Sequence, residues 1–369
     1  MKIDRRVLIN FEWVLPLLVL SICAVGLLNL YSAGHNLLHA SSTPAYMKQM
    51  YWVLLGLVLM GLAVSVDYHV IIEYGYFIYG FSVLLLLAVF LYGQVTHGSQ
   101  RWLVLYGFSF QPSELVKLTM IIALTKFIDE HKVQGGYTVQ TLFIPLIIVL
   151  VPCVMILKQP DLGTALFLVI LFFSIILFVG IEKKTLIILS GTCLFLLPLL
   201  WFFMKDYQKE RLLTFLNPEL DPLGSGYHII QSIIAIGSGG ILGKGFLQGT
   251  QSQLKFLPEQ QTDFVFSVFA EEWGFLGAMI LVFLFLALLL WGFRIGRRAR
   301  DLPGLMIAYG TTISIFWAVF INVGMVLGLL PVVGIPLPFL SYGGSSMVVL
   351  MISVGLVMNV SMRRFVFQP

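Results

Sequence analysis

Ten apolar stretches recur along the 369-residue chain. Each is close to the roughly 20 residues an α-helix needs to cross a hydrocarbon core about 30 Å thick. They run over about 11–33, 47–66, 71–92, 112–128, 140–157, 162–181, 185–204, 264–293, 304–330 and 339–361. Runs such as Val83-Leu84-Leu85-Leu86-Leu87 are unbroken, whereas strands of a membrane barrel alternate with polar residues. The expectation is therefore an all-α polytopic membrane protein with ten transmembrane helices. The fourth and fifth stretches are short or interrupted by polar residues. Lys2, Arg5 and Arg6 precede the first stretch as in a signal peptide, but no small-residue cleavage site follows, so an uncleaved first helix is expected.

Composition removes other classes. Only 11% of residues are charged, against about 25% in soluble domains. A soluble enzyme, a disordered regulator and a nucleic-acid-binding domain are excluded. Cys23, Cys153 and Cys193 lie in apolar runs, and the 6 histidines are scattered, so neither a disulfide framework nor a metal-ligand spacing is present. Basic residues set the orientation. With the N-terminus inside, Lys126, Lys132, Lys183, Lys184, Arg294, Arg297, Arg298, Arg300, Arg363 and Arg364 fall inside beside Lys2, Arg5 and Arg6. The short outer loops hold only Lys48, Arg101 and Lys158. Both termini are then cytoplasmic. Residues 205–262 form a long, Gly-containing outer loop between the seventh and eighth stretches. Within it, Ile229, Ile230, Ile233, Ile234 and Ile236 are spaced as in an amphipathic helix lying on the outer surface.

Polar residues at the membrane are expensive and so informative. In Gln111-Pro112-Ser113-Glu114-Leu115-Val116-Lys117, the acid and the base stand three apart and meet on one helical face. They read as a structural ion pair or as one that shapes a cavity. Asp161, after Pro160, suits a helix cap. In Leu257-Pro258-Glu259-Gln260-Gln261-Thr262-Asp263-Phe264, a helix opened by Pro258 puts Glu259 and Asp263 on one face. Paired carboxylates repel, one pKa rises, and that group becomes a better general base near neutral pH. Capping by Thr262 or Asp263 is the plainer alternative. Glu271 and Glu272, about two turns deeper, have no evident partner. Arg101, Arg211, Lys244 and Lys255 on the outer side suit an anionic head group or simply solvent. Gly243-Lys244 fails as a phosphate loop because Ser238 and Gly245 replace the required Gly and Ser/Thr. Pro331 to Ser346 carries Pro331, Pro336 and Pro338 with Gly343-Gly344. It suits a broken segment lining a cavity or a tight outer turn. These residues alone describe an outward-facing polar site, fitting an enzyme acting on a lipid-linked anionic substrate or an ion-coupled transporter.

Five motifs stand in register over nearly the whole chain. They are Gln100-Arg101-Trp102-Leu103, Phe110 to Leu115 with Lys117, Gln159-Pro160-Asp161-Leu162-Gly163-Thr164, Leu257 to Phe264, and Pro338 to Ser345. Together they resemble the SEDS family (shape, elongation, division, sporulation). Asp206-Tyr207-Gln208, Gly226 to Ser232, Ala235 to Gly240 and Gly249 to Gln253 look more like its elongation branch than its division branch. The resemblance implies a single SEDS-type membrane domain over 1–369 that polymerises lipid II at the outer face of the bacterial cytoplasmic membrane. It implies Asp263 as the essential acid and Glu114 paired with Lys117 beside a central cavity. Arg101, Arg211, Glu259, Asp161, Lys244 and Ser341 are candidate substrate-binding residues. A class B penicillin-binding protein and other elongation-complex membrane proteins are the implied partners, with lipid II and the nascent lipid-linked glycan as substrates and no nucleic acid. No dedicated cofactor is expected. A Mg²⁺ or Mn²⁺ ion shared with substrate phosphates would need few protein ligands. A precursor flippase is the alternative activity, and a non-catalytic scaffold a third.

Overall fold

The computed structural model describes residues 11–35, 44–96, 99–105, 108–133, 135–204, 206–218, 221, 225–254, 256–257 and 259–364; Pro258 and Lys255 lie outside them. Each of the ten apolar stretches contains a helix. They are α1 (Val14–Gly34), α2 (Ala45–Ser65), α4 (Gly75–Tyr92, after the short α3, Tyr68–Glu73), α5 (Pro112–Glu130), α6 (Phe143–Lys158), α7 (Leu162–Val179) and α8 (Lys183–Phe203). After the 206–262 region come α12 (Val265–Arg297), α13 (Leu302–Val326) and α14 (Gly344–Arg363). Among the described residues, seven are long and apolar enough to span a membrane: α1, α2, α4, α7, α12, α13 and α14. The chain is thus multi-pass. Of the other three, α6 is apolar but 16 residues long, and α5 carries Glu114, Lys117, Lys126, Asp129 and Glu130. Outward faces carry exposed Leu54, Val58, Phe81, Leu84 and Ile280. Such faces are stable against lipid rather than water.

Two apolar cores meet in the bundle. One gathers α1, α2, α12, α13 and α14, with Ile22, Val268, Met325 and Met351 buried at its centre. The other gathers α5, α6 and α7 with Leu86 of α4. Basic residues close the last turns of α12 (Arg294, Arg297) and α14 (Arg363), where cations favour the helix dipole.

Three features depart from a purely helical bundle. Between α4 and α5 lies a small antiparallel sheet, β1 (Gln94–Thr96), β2 (Ser99–Leu105) and β3 (Phe108–Phe110), in that order. It places Arg101 and Trp102 on β2. Next, 206–262 is not a bare loop: it holds α9 (Asp206–Leu216), α10 (Ser225–Ser238) and α11 (Thr250–Gln253). The amphipathic helix expected from the isoleucines is α10. It packs into the bundle instead of lying on its surface, burying Ile229, Ser232 and Ala235 while Ile233 and Ile234 stay exposed. Ser232 Oγ donates to the Val326 carbonyl at 2.6 Å and lies 2.8 Å from Ser267 Oγ. Finally, the last helix starts at Gly344 rather than 339. The stretch before it is irregular yet buried at Ile335, Leu337, Phe339 and Leu340, so the broken-segment reading holds over the tight-turn one.

A break in α12 sits where the sequence shows Glu271-Glu272. Gly274 has φ 65 and ψ −164, a backbone shape that costs other residues dearly. The loop after α10 enters this break. Lys244 N donates to Glu271 O at 3.1 Å and Gly245 N to Glu272 O at 3.0 Å. Phe275 N and Leu276 N donate to the carbonyls of Gly240 and Ile241 at 2.9 and 3.1 Å. The glycines that faintly suggested a phosphate loop therefore satisfy a helix's orphan backbone groups.

Candidate active site

Asp263 does not sit on a helix. Residues 259–264 form turns, and α12 begins at Val265 with Phe264 at its N-cap and no side-chain cap. The expected helical face joining Glu259 and Asp263 is therefore absent, and Thr262 is no helix cap. Its hydroxyl donates to Glu259 Oε2 at 3.0 Å instead. What holds this turn is the irregular stretch before α14. Ser341 Oγ donates to Thr262 O at 2.6 Å and accepts from Leu337 N at 2.8 Å. Tyr342 N donates to Gln261 O at 2.8 Å. Asn322, fully buried on α13, splits its amide between Asp263 O at 3.0 Å and Ile335 O at 2.8 Å. With these backbone groups pinned, the Asp263 carboxylate is aimed rather than floating. Gly334 lies beside it with φ 73, and a Cβ there would stand 3.5 Å from Asp263 Oδ2.

The carboxylate opens onto a cavity of about 620 Å³. Its walls come from both cores. Lys48, Tyr51 and Trp52 come from α2, Arg101 and Trp102 from β2, and Gln111, Glu114 and Lys117 from the start of α5. Asp161, Thr164 and Phe167 line it from α7, Arg211 from α9, and Tyr342 to Ser346 from the head of α14. Asp263, Arg101, Arg211, Asp161, Glu114 and Lys117 therefore share one space. Lys117 Nζ donates to Glu114 Oε1 at 2.7 Å and stands 5.0 Å from the Phe167 ring centre. Each half of the pair offsets the cost of burying the other. Asp161 does cap its helix, accepting from Thr164 N at 3.1 Å and Thr164 Oγ1 at 2.9 Å. It also faces Arg101 at 3.6 Å. Capping and cavity lining coincide in one side chain.

Burial raises the Asp263 pKa from 3.8 to about 6, and the negative charge of Glu259 adds to the effect. Arg211 and then Arg101 pull it back, and Asp161 pushes weakly upward. At neutral pH the group is ionised yet basic enough to accept a proton, as a general base needs.

Two candidates fall away. Lys244 is absent from the cavity. Its ammonium is committed to Glu271 Oε1 at 2.7 Å and Thr250 Oγ1 at 2.7 Å. Ser341 is 5% exposed, and its hydroxyl is consumed by the backbone it staples. Glu259 belongs to an adjoining, smaller cavity that Asp263 also lines. Sequence reasoning missed Lys48, Tyr51 and Trp52 as cavity residues. Their i, i+3, i+4 spacing at the start of a span was the available signal. Asn322 gave none beyond being a buried amide. Among the described residues, no three His, Cys, Asp or Glu side chains converge as in a closed metal site.

This is a multi-pass membrane protein with a polar cavity in its bundle, lined by one half-buried acid. Comparisons place it further. The family model for FtsW, RodA and SpoVE, described as cell cycle proteins, matches residues 12–365, and the chain belongs to that family. It is 41% identical over 313 residues to the peptidoglycan glycosyltransferase MrdB of Escherichia coli K12, covering 85% of this chain and 84% of that one. It is 33% identical over 430 residues to the peptidoglycan glycosyltransferase RodA of Treponema pallidum, covering 96% and 98%. Its fold matches the rod shape determining protein RodA of Thermus thermophilus with a TM-score of 0.71 at 30% identity, covering 97% and 98%. A chain from a peptidoglycan synthase complex, in a study of coordinated polymerisation and crosslinking, matches with a TM-score of 0.82 at 34% identity. That match covers 96% and 98% of the two chains.

Proposed function

We propose that this chain is a peptidoglycan glycosyltransferase that joins lipid II units into glycan strands during cell elongation, with Asp263 as general base. The observation that carries the reading is the position of Asp263, a half-buried acid with a pKa near 6 on the wall of a cavity that also holds Arg101, Arg211 and Lys48. The chemistry follows. A sugar 4-hydroxyl attacks C1 of a second sugar whose α bond leads to a lipid diphosphate. The O4–C1 bond forms in β configuration as the C1–O bond breaks, one inverting displacement with no covalent enzyme intermediate. The hydroxyl proton passes to the Asp263 carboxylate. The bonding pair leaves on the diphosphate, where Arg101 and Arg211 neutralise the added charge; the guanidinium fork suits phosphate oxygens. Positioned base catalysis is worth about 10²–10⁴-fold. The carboxylates here are too dispersed for a closed protein site, so a Mg²⁺ or Mn²⁺ ion would be held largely by phosphate and water and would add neutralising charge. Glu114 and Lys117 shape the cavity floor and need not touch the reacting atoms.

The topology belongs to the same proposal: ten spans in a bacterial inner membrane, both termini cytoplasmic, the cavity outward. The excess of basic residues on the side assigned as inner supports it. A class B penicillin-binding protein, the transpeptidase that crosslinks the strands, is the proposed partner, supported by the likeness to a chain of a synthase complex. Purified protein incubated with labelled lipid II tests the reading. Glycan strands from the wild type and none from Asp263→Asn support it. Transfer of lipid II across vesicles without any polymer would establish the flippase instead.

A further inference from the structure

A second cavity, of about 230 Å³, adjoins the first beside the Asp263 turn and is lined from α9 and α10. Arg211, Asp263 and Val332 line both cavities and so stand at the boundary they share. The two differ in charge. The larger sets Lys48, Arg101, Lys117 and Arg211 against Glu114, Asp161 and Asp263, so that its cations outnumber its acids. The smaller is lined by Thr214, His228 and Glu259, with Arg211 the one cation among the described residues that line it.

His228 is set up as a ligand-facing group. Its ring lies nearly parallel to buried Phe264, 21° apart with centres at 5.9 Å, which fixes its orientation. Its nitrogens hydrogen-bond to no described residue. Burial holds its pKa below 6.5, with Arg211 adding to the effect and Glu259 opposing it. A neutral imidazole can donate from one nitrogen and accept at the other, which matches a sugar hydroxyl. Across from it, Glu259 has φ 46, a left-handed conformation that non-glycine residues keep only when their surroundings impose it.

We infer that the smaller cavity is the acceptor-sugar subsite, with His228 as a sugar-binding residue, and that the Asp263–Arg211 boundary divides it from the diphosphate side. This rests on the polymerase reading above. Two carboxylates against one shared cation make the smaller cavity hostile to a diphosphate but suited to a neutral sugar. Inversion requires the nucleophile and the leaving group on opposite sides of C1. A hydroxyl arriving from the smaller cavity meets the Asp263 carboxylate as it crosses the boundary and gives up its proton there. It forms the bond to C1 while the diphosphate departs into the larger, cationic cavity with the bonding pair.

The test separates donor from acceptor on the full-length protein. Lipid II capped by galactose on its free 4-hydroxyl can only donate; a lipid-free disaccharide-peptide can only accept. His228→Ala is expected to raise KM for the acceptor about tenfold, the loss of one to two hydrogen bonds, with KM for the capped donor changed less than about twofold. His228→Asn, which keeps a donor and an acceptor, restores most of the loss. Arg101→Ala gives the opposite split. If His228→Ala lowers the melting temperature, Thr214→Val on the same cavity wall carries the same measurement. Equal rises in both KM values, or none, overturn the acceptor assignment while the polymerase reading stands. A wild-type protein that joins neither probe overturns the polymerase reading itself.

Discussion

Asp263 and Glu271 stand eight residues apart, the first just before α12 and the second within its opening turns, and the structure treats them in opposite ways. Glu271 is fully buried and fully occupied. Oε1 takes Lys244 Nζ, Thr250 Oγ1 and Gln251 N, and Oε2 takes Ser252 N. Beside it, Glu272 accepts from Ser32 Oγ. Asp263 has its backbone pinned by Asn322, but its carboxylate opens to two cavities. Burial of an acid therefore does not by itself mark a site. What marks it is a carboxylate whose surroundings are fixed while its own oxygens are left for a ligand.

The sharpest way to break this contrast is to exchange the roles. Asp263→Asn is expected to lower strand synthesis by about 10²–10⁴-fold without loss of fold. It should even raise the melting temperature at neutral pH. The folded carboxyl holds its proton to about pH 6 and the unfolded one only to 3.8, so as pH climbs through that window its ionisation increasingly disfavours the folded state. Melting curves at pH 5 and pH 8 check this: the gain should be larger at pH 8 than at pH 5. A variant that loses both activity and stability would mean that Asp263 is structural, like Glu271.

Glu271→Ala should do the reverse. Removing one partner leaves Lys244 uncompensated and the N–H groups of Gln251 and Ser252 orphaned, at a cost of about 3–5 kcal/mol. The molecules that remain folded should polymerise at a near-normal rate. Paired replacement, Glu271→Leu with Lys244→Met, should cost clearly less than Glu271→Ala alone, because no lone charge remains; thermal melts decide it. At the neighbouring break, Gly274→Ala would force a left-handed alanine and press its Cβ to 2.2 Å from Gly243 N. A loss of about 1–3 kcal/mol from the strain is expected, and the clash adds to it.

This contrast also bounds what could be read from the chain. Seven of the spans, the α10 helix and the Glu114–Lys117 pair were legible because each depends on local spacing. The sheet carrying Arg101 was not anticipated, since Arg101 to Leu105 is too short to weigh against ten long apolar stretches. Lys244 and Ser341 looked like substrate ligands because an outer lysine and a serine in a Gly-rich segment are polar and well placed. Only tertiary structure shows that Glu271 and the carbonyl of Thr262 already hold them. Similarly, Glu259 and Asp263 couple electrically as expected, but through a turn and the smaller cavity they both line rather than along a helix.

The smallest expected effect probes that coupling. As the general base, Asp263 must be ionised, so kcat/KM should fall as pH drops through about 6. Glu259 raises that pKa through its negative charge, so Glu259→Gln should move the acid limb to lower pH, and the variant should gain relative activity at pH 5. Burial, the larger cause, is untouched, so the limb should stay well above 3.8. Full pH profiles of kcat/KM for the two proteins measure the displacement. An acid limb that does not move would mean that the titrating group lies beyond the reach of Glu259. In that case the base would have to be sought among the other carboxylates of the larger cavity, Asp161 and Glu114.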